Sequence, residues 1–431
     1  MTPAGRASAA IDVLTDLGAR KRPASEALKD WGTAHRFAGS GDRAAIGSLV
    51  FDCLRQRASL GAVMEDDSPR ALVLRALVSA WGMSPESVDT LFDGSRFAPD
   101  PLSDAERAGL ARALSPDLPA SVRGDYPAWL DEAFAAVFGA DAAAEGAALS
   151  VRAPVDLRVN TLKANRDKVL KALARFSPHP TAYAPHGLRI APRQGPARTP
   201  HVEADAAHGK GWLEVQDEGS QIAAAMTGAS PREQVIDLCA GAGGKTLALA
   251  AAMENTGQLY AYDANRMRLR AMFDRLRRAG ARNVQVLEGG VDAGLAPLTG
   301  RMNRVVIDAP CTGSGTWRRR PDAKWRLTPE MLSARMAEQA AVLDAGASLL
   351  KPGGRLTYIT CSVLPSENRE QVDGFLARHP EFALKPWREA WEGAIEIGAP
   401  ASADGSDETL LMTPRSHGTD GFFVATLERQ A

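Results

Sequence analysis

The second half of the sequence predicts a doubly wound, mostly parallel α/β sheet, preceded by a small α+β module and an all-α domain. Three observations carry this. From about Trp212 onward, short apolar β-branched runs alternate with helical segments. A glycine-rich loop follows one of these runs, at Ala240 to Gly244. Residues 1–145, by contrast, repeat Ala, Leu and Arg at three- and four-residue spacing and contain no strand-like run. A chain of 431 residues is long for one core, and the expected domains are 1–145, 146–210 and 211–431.

In chain order, breaks at Arg22-Pro23, Ser40-Gly41, Ser84-Pro85 and Ala98 to Pro101 divide the first part into several helices. Val155 to Asn160 then reads as a strand, Asn165 to Arg175 as a helix and Gly187 to Ile190 as a strand, before a Pro-rich basic linker at Pro192 to Pro200. Strands are expected at Val235–Leu238, Gln258–Tyr262, Val284–Leu287, Val305–Ile307 and Arg355–Thr360, with helices at Thr246–Met253, Asn265–Gly280 and Pro329–Leu350 between them. Lys351 to Gly354 reads as the stop signal of the last helix, and Ser366 as the cap of a further helix through Arg378. Thr409–Met412 and Phe422–Leu427, separated by turn-forming residues, read as an antiparallel pair closing the sheet.

The net charge of −1 selects no partner, but its distribution is uneven. Residues 1–150 hold 15 Lys+Arg against 21 Asp+Glu, leaving 36 against 31 for the remainder. Seven arginines crowd Arg266 to Arg282, a pattern usual for a solvated helix face. Arg318, Arg319, Arg320, Lys324 and Arg326 are interleaved with Trp317, Pro321 and Trp325, which suits a loop gripping phosphates and stacking on bases. The four cysteines, Cys53, Cys239, Cys311 and Cys361, have no C-x-x-C spacing, which argues against a disulfide framework or a structural zinc and for a reducing cytoplasm. No apolar stretch reaches membrane-spanning length, and Asp12 and Asp16 interrupt any signal-peptide core, so a soluble cytoplasmic protein without an evident obligate protein partner is expected.

The glycine loop, Asp237 to Thr246, allows close approach of backbone to a ligand at a helix N-terminus. A triphosphate-binding loop would need glycine where Cys239 stands, and a dinucleotide fingerprint would need a small residue at Thr246. Asp263, at the end of the next strand, can accept hydrogen bonds from both hydroxyls of a ribose. Asp292, after the third strand, could equally face an adenine amino group or be an ordinary loop acid. Cys311, in Asp308-Ala309-Pro310-Cys311, and Cys361, in Thr360-Cys361-Ser362, each follow a strand-like run. If those runs are neighbouring parallel strands, their ends lie about 5 Å apart, close enough for two sulfurs to flank one flat substrate. A cysteine after a strand is most often a small buried hydrophobe, the reading kept for Cys53 and Cys239. The polar neighbours of Cys311 and Cys361 favour chemistry, and Pro310 constrains where Cys311 points.

Residues 237–246, 263, 308–311, 317–326 and 360–362, taken in order, resemble the RsmB/Sun (NSUN-type) family of S-adenosylmethionine-dependent RNA 5-methylcytosine methyltransferases. Val215 to Gln221, Ser416 to Phe423 and Arg158-Val159-Asn160-Thr161 are also family-like, so the resemblance covers about two thirds of the chain. The helical part resembles a NusB-like RNA-binding domain. The resemblance implies a Rossmann-like methyltransferase sheet, S-adenosylmethionine as cofactor, RNA as partner and no metal. It further implies Cys361 as nucleophile, Cys311 in proton removal or product release, Asp308 at N3 or the exocyclic amine, and Lys245 holding the base and favouring the thiolate. The implied cofactor site comprises Cys239, Ala240, Gly241, Ala242, Gly243, Gly244, Lys245, Asp263, Arg268, Asp292 and Asp308. Arg318, Arg319, Lys324 and Trp325 are the expected RNA contacts. Two departures stand out: Ala242 replaces the family's usual proline, and its Gly-Asp pair becomes Gly289-Gly290-Val291-Asp292. The added helical domain points to ribosomal RNA, with transfer RNA as alternative. A non-catalytic RNA-binding or ribosome-assembly factor would need neither sulfur. A nicotinamide-dependent oxidoreductase would leave the cysteine pair and the Trp/Arg loop unexplained.

Overall fold

Apolar spacing in the first 150 residues folds as that spacing dictates, into helices that bury one face each. A computed structural model describes residues 1–197, 200–288 and 294–430, and these group into two compact units. The first comprises Met1–Ala153, Pro192–Thr199 and Trp317–Leu327. Its helices Pro3–Arg20, Ser40–Arg55 and Pro69–Ser79 bury Val13, Ile46, Leu49, Val50, Val73 and Leu74 in one core. Of the breaks read from the sequence, Ser84-Pro85 is a cap, the Ser84 side chain accepting from Ser87 N with Pro85 in the first turn that follows, and Ser68 caps a further helix in the same way by accepting from Ala71 N.

Segment 317–327 belongs to this helical unit, which corrects the expectation of a phosphate-gripping loop. Lys324 is 0% exposed and Arg318 3%. Lys324 Nζ donates to Arg55 O at 2.8 Å and to Ser150 Oγ at 2.9 Å, while Trp325 Nε1 donates to Leu54 O at 2.6 Å. These carbonyls close the C-terminal turn of Ser40–Arg55, where a helix leaves acceptors unfilled and its dipole favours a cation. Burial, partly offset by Asp125, lowers the Lys324 ammonium to about 7. Trp317 lies parallel to Phe134 at 6.1 Å, both buried within the same unit. Lys324, Arg318 and Trp325 therefore hold the helical unit together; Arg319 is half-buried.

The second unit contains two sheets. The smaller is antiparallel, ordered β2 (His179–Pro180), β3 (Gly187–Ile190), β1 (Val155–Val159) and β4 (Leu213–Val215). Because β4 pairs with β1, the boundary expected at residue 210 would cut a sheet, and the structure joins this module to the larger one in one unit. The arginine-rich helix Arg266–Ala279 is not simply solvated: Arg275 and Arg278 bind the buried Glu214 of β4 at 2.9 and 2.6 Å.

The larger sheet runs in the order β10 (Phe382–Lys385), β12 (Phe422–Arg429), β9 (Leu350–Thr360), β8 (Met302–Asp308), β5 (Gln234–Asp237), β6 (Gln258–Ala261), β7 (Val284–Val286). The strands from β9 to β7 are mutually parallel and β12 is antiparallel to β9. This is the expected doubly wound Rossmann-like sheet. Its order reverses at β5, between β6 and β8, and a crevice at such a switch point is where ligands of open α/β sheets bind. Three local expectations fail. Lys351 to Gly354 lie within β9, because Met302 of β8 pairs with Leu350 directly at the end of helix Pro329–Leu349. Ser366 sits in a short 3₁₀ turn and the following helix begins at Arg369 after Asn368. The pair β11 (Leu410–Met412) and β12 forms, but β12 lies inside the sheet with β10 at its edge.

Candidate active site

Strand β5 ends at Asp237, and the chain turns back over the sheet through two glycines in left-handed conformation, Gly241 at φ +53° and Gly243 at φ +88°. Gly243 then precedes helix Gly244–Ala252. A Cβ on Gly241 would come within 2.9 Å of the Arg268 guanidinium, a side-chain end that can shift, so it is the positive φ that favours glycine here. Asp263 follows β6 and is 4% exposed. Its Oδ2 accepts from Gly241 N at 2.9 Å and pairs with Arg268 at 3.1 Å, while Oδ1 accepts from Asn265 N at 2.8 Å. Asp263 and Arg268 are thus together at the loop, as expected, each already engaged with the other. Asp292 lies outside the described residues.

Strands β8 and β9 are parallel neighbours with Asp308 opposite Ile359, so their C-terminal ends emerge side by side. The half-buried Cys311 and Cys361 follow, their Sγ atoms 3.3 Å apart. Residues fifty apart in sequence are here within hydrogen-bond reach. Gly315 N donates to Cys361 O at 2.9 Å, and Gly421 N donates to Gly315 O at 2.8 Å. The Gly315 and Gly421 backbones approach so closely that a Cβ on Gly315 would meet Gly421 O at 2.2 Å. Burial and the contact with Cys361 push the Cys311 thiol well up, the Cys361 contact being the larger cause. Cys239, at the glycine loop, is pushed up mainly by burial.

Lys245 and Asp308 meet beside the thiols. Lys245 Nζ lies 2.8 Å from Asp308 Oδ1, donates to Ser220 Oγ at 3.3 Å and sits 5.1 Å above the Phe422 ring. Lys245 is 5% exposed while the Asp308 side chain is 37% exposed, so the pair presents its carboxylate outward. The two further motif stretches also converge here: Asp420 N donates to both oxygens of Asp217 at 3.1 Å.

Two site residues were not singled out by sequence reasoning. Asp237 is buried with its Oδ2 accepting from Thr246 Oγ1 at 2.7 Å and its Oδ1 without a hydrogen-bond partner. Burial raises its carboxyl to about 7. Its signal was its place at a strand end directly before the glycines. Glu367, buried behind both cysteine loops, accepts from Thr312 and Ser362. An acid six residues after a cysteine gives no signal by itself.

Comparison with known proteins identifies the family. The family described as 16S rRNA methyltransferase RsmB/F matches residues 225–428, and the RsmF/B-like ferredoxin-like domain matches residues 126–194. A probable ribosomal RNA small subunit methyltransferase B from Synechocystis sp. is 35% identical over 308 residues, which is 70% of this chain and 67% of that protein. The chain belongs to the RsmB/F family. A ribosomal RNA small subunit methyltransferase B from Sodalis glossinidius is 32% identical over 78% of this chain and 75% of its own length. The crystal structure of a methyltransferase homolog protein from Pyrococcus horikoshii, 28% identical, covers 73% of this chain and all of that one with a TM-score of 0.60. The protein is accordingly an RNA methyltransferase, and the family's methyl donor is S-adenosylmethionine. The donor set suits that cofactor: Asp263 is a carboxylate fixed at the end of β6, beside the loop that turns through Gly241 and Gly243, and Asp237 Oδ1 is a buried acceptor without a hydrogen-bond partner.

Proposed function

We propose that the protein methylates C5 of a cytosine in RNA, with small-subunit ribosomal RNA as substrate, through a covalent bond between Cys361 and C6 of the base. The observation that carries this is the 3.3 Å contact of two thiols at the ends of adjacent strands, beside an outward-facing carboxylate. Cytosine C5 is a poor nucleophile. Addition of the Cys361 thiolate to C6 moves an electron pair to C5, which can then take the methyl group that S-adenosylmethionine supplies as a sulfonium. Loss of the C5 proton then drives the C6–S electron pair back onto sulfur, restoring the ring. Cys311 serves this release. Asp308 hydrogen-bonds the base at N3 or its amine, and Lys245 keeps that carboxylate in place. Asp263 holds the ribose of the donor and Asp237 faces its positive charge. The helical unit and the small antiparallel module bind RNA outside the reacting base. The ribosomal assignment rests on the two small-subunit relatives and the family description.

Mapping 5-methylcytosine across cellular ribosomal and transfer RNA, with and without the protein, tests the reading. One small-subunit position should lose its mark; unchanged ribosomal marks with a lost transfer RNA mark would move the substrate, and no lost mark would end the C5 assignment.

Asp237 gives a second test. Its carboxyl, raised from 3.8 to about 7, is largely protonated at pH 6, and a bound cation favours the carboxylate. Binding of the donor should therefore release protons and tighten as pH rises from about 6 to 8. The sign is opposite for the unliganded fold: the Asp237 contribution is fully present below 3.8 and lost as pH rises through about 7. Calorimetric titration should show the affinity gain in the parent and a flat profile in Asp237→Asn; parallel profiles would remove Asp237 from the cation's side.

A further inference from the structure

The two thiols are held together from behind by one carboxylate. Glu367 is 0% exposed and lies on the turn Pro365–Glu367 that follows β9. Its Oε1 accepts from Thr312 N at 2.7 Å and from Gln339 Nε2 at 3.0 Å; its Oε2 accepts from Thr312 Oγ1 and Ser362 Oγ, each at 2.5 Å. An ionised carboxylate offers about four acceptor sites, and four donors fill them. Thr312 directly follows Cys311 and Ser362 directly follows Cys361. The preceding residues are tied as well: Gln339 Nε2 also donates to Pro310 O at 2.9 Å, and Thr360 Oγ1 donates to Asn368 Oδ1 at 2.5 Å.

We propose that Glu367 is a positioning residue for the methyl-transfer reaction, its two oxygens clasping the residues after both cysteines so that the sulfurs stay in contact over the substrate. The inference deepens the covalent reading and rests on it. Glu367 touches neither the substrate nor the cofactor in this role. Its action is geometric: the two loops are also linked by Gly315 N to Cys361 O, by Val363 N to Ser314 Oγ and by the Ser314–Ser362 hydroxyl contact, each at 2.9 Å, and Glu367 adds a tie from the residues directly after both cysteines to one side chain. It also acts by charge. The groups that raise the Cys311 thiol are Cys361, burial and Glu367, and Cys311 faces Tyr358, whose hydroxyl donates to Glu367 O at 2.7 Å. Holding the proton on Cys311 lets its S–H donate toward Cys361 Sγ across the 3.3 Å contact.

Glu367→Gln keeps the size but offers one acceptor atom in place of two. In the full chain, kcat for methyl transfer to RNA should fall about tenfold or more, as expected for a small misplacement of reacting groups. The Kd for S-adenosylmethionine should stay within about twofold. Iodoacetamide labelling read by peptide mass should show Cys311 reacting faster at a fixed pH, its profile displaced to lower pH, while the buried Cys53 stays unlabelled and so reports an intact helical unit. Thr312→Val removes one hydroxyl arm and keeps the charge; it should lower kcat and leave the Cys311 profile in place. A Glu367→Gln enzyme with kcat within twofold of the parent, or with a superposable Cys311 profile, overturns the proposal. If that variant does not fold, an unchanged kcat in Thr312→Val overturns it. Labelling needs no RNA, so absence of 5-methylcytosine would sink the chemistry without moving this readout.

Discussion

Cys361→Ser will lower methyl transfer by at least about a thousandfold, the scale seen when a covalent nucleophile is removed. The thiol of a free cysteine ionises near 8.5, whereas a serine hydroxyl is far less acidic, so the oxygen cannot open the C5=C6 bond of cytosine at neutral pH. The substitution disturbs little else. Cys361 contributes its backbone carbonyl to Gly315 N, and the side chains fixing its surroundings belong to Thr360, Ser362, Glu367 and Asn368. Donor binding depends on the β5 and β6 ends and should be unaltered. Transfer of labelled methyl to small-subunit RNA measures the first effect and calorimetry the second. Full turnover by the serine variant would take the nucleophile's role from Cys361.

The convergence of the thiols was legible because it follows from topology. Two buried apolar runs in an alternating α/β chain become adjacent parallel strands, and whatever follows them emerges at the same rim. Asp308, Cys311 and Cys361 are thus placed by strand order alone. Where the reading failed, the deciding interaction was tertiary. Lys351 to Gly354 carry helix-stopping residues, yet β8 pairs with Leu350 before them and with Arg355 after them, so β9 spans them as a register shift. Segment 317–326 has the composition of an RNA-gripping loop, but the carbonyls at the end of helix Ser40–Arg55 are acceptors that its lysine and tryptophan fill. The sequence pattern of a cation among aromatics is the same in both cases; only the partner differs. Glu367 was invisible for a related reason. A buried carboxylate is stable only with its acceptor sites filled, and its donors, Thr312, Ser362 and Gln339, come from three separated segments.

Cys311→Ala will trap the enzyme on its substrate. With Cys361 intact, addition to C6 and methyl transfer to C5 proceed, but the methylated base leaves only when its C5 proton is taken. The first cause of the raised Cys311 thiol is its contact with Cys361. Once Cys361 Sγ is bonded to carbon it no longer attracts that proton, so Cys311 becomes easier to ionise at the step that needs a base. This order of events accounts for two sulfurs at 3.3 Å with different tasks. Alanine supplies no base, so turnover should drop by about a hundredfold or more, the range general-base groups contribute. A protein–RNA species resistant to denaturant should build up, dependent on S-adenosylmethionine for its methylated form, and should vanish in the Cys311→Ala/Cys361→Ser double variant. A single Cys311→Ala variant that turns over without such a species would leave release to another group, and the high thiol at Cys311 would then serve only to keep a proton directed at Cys361.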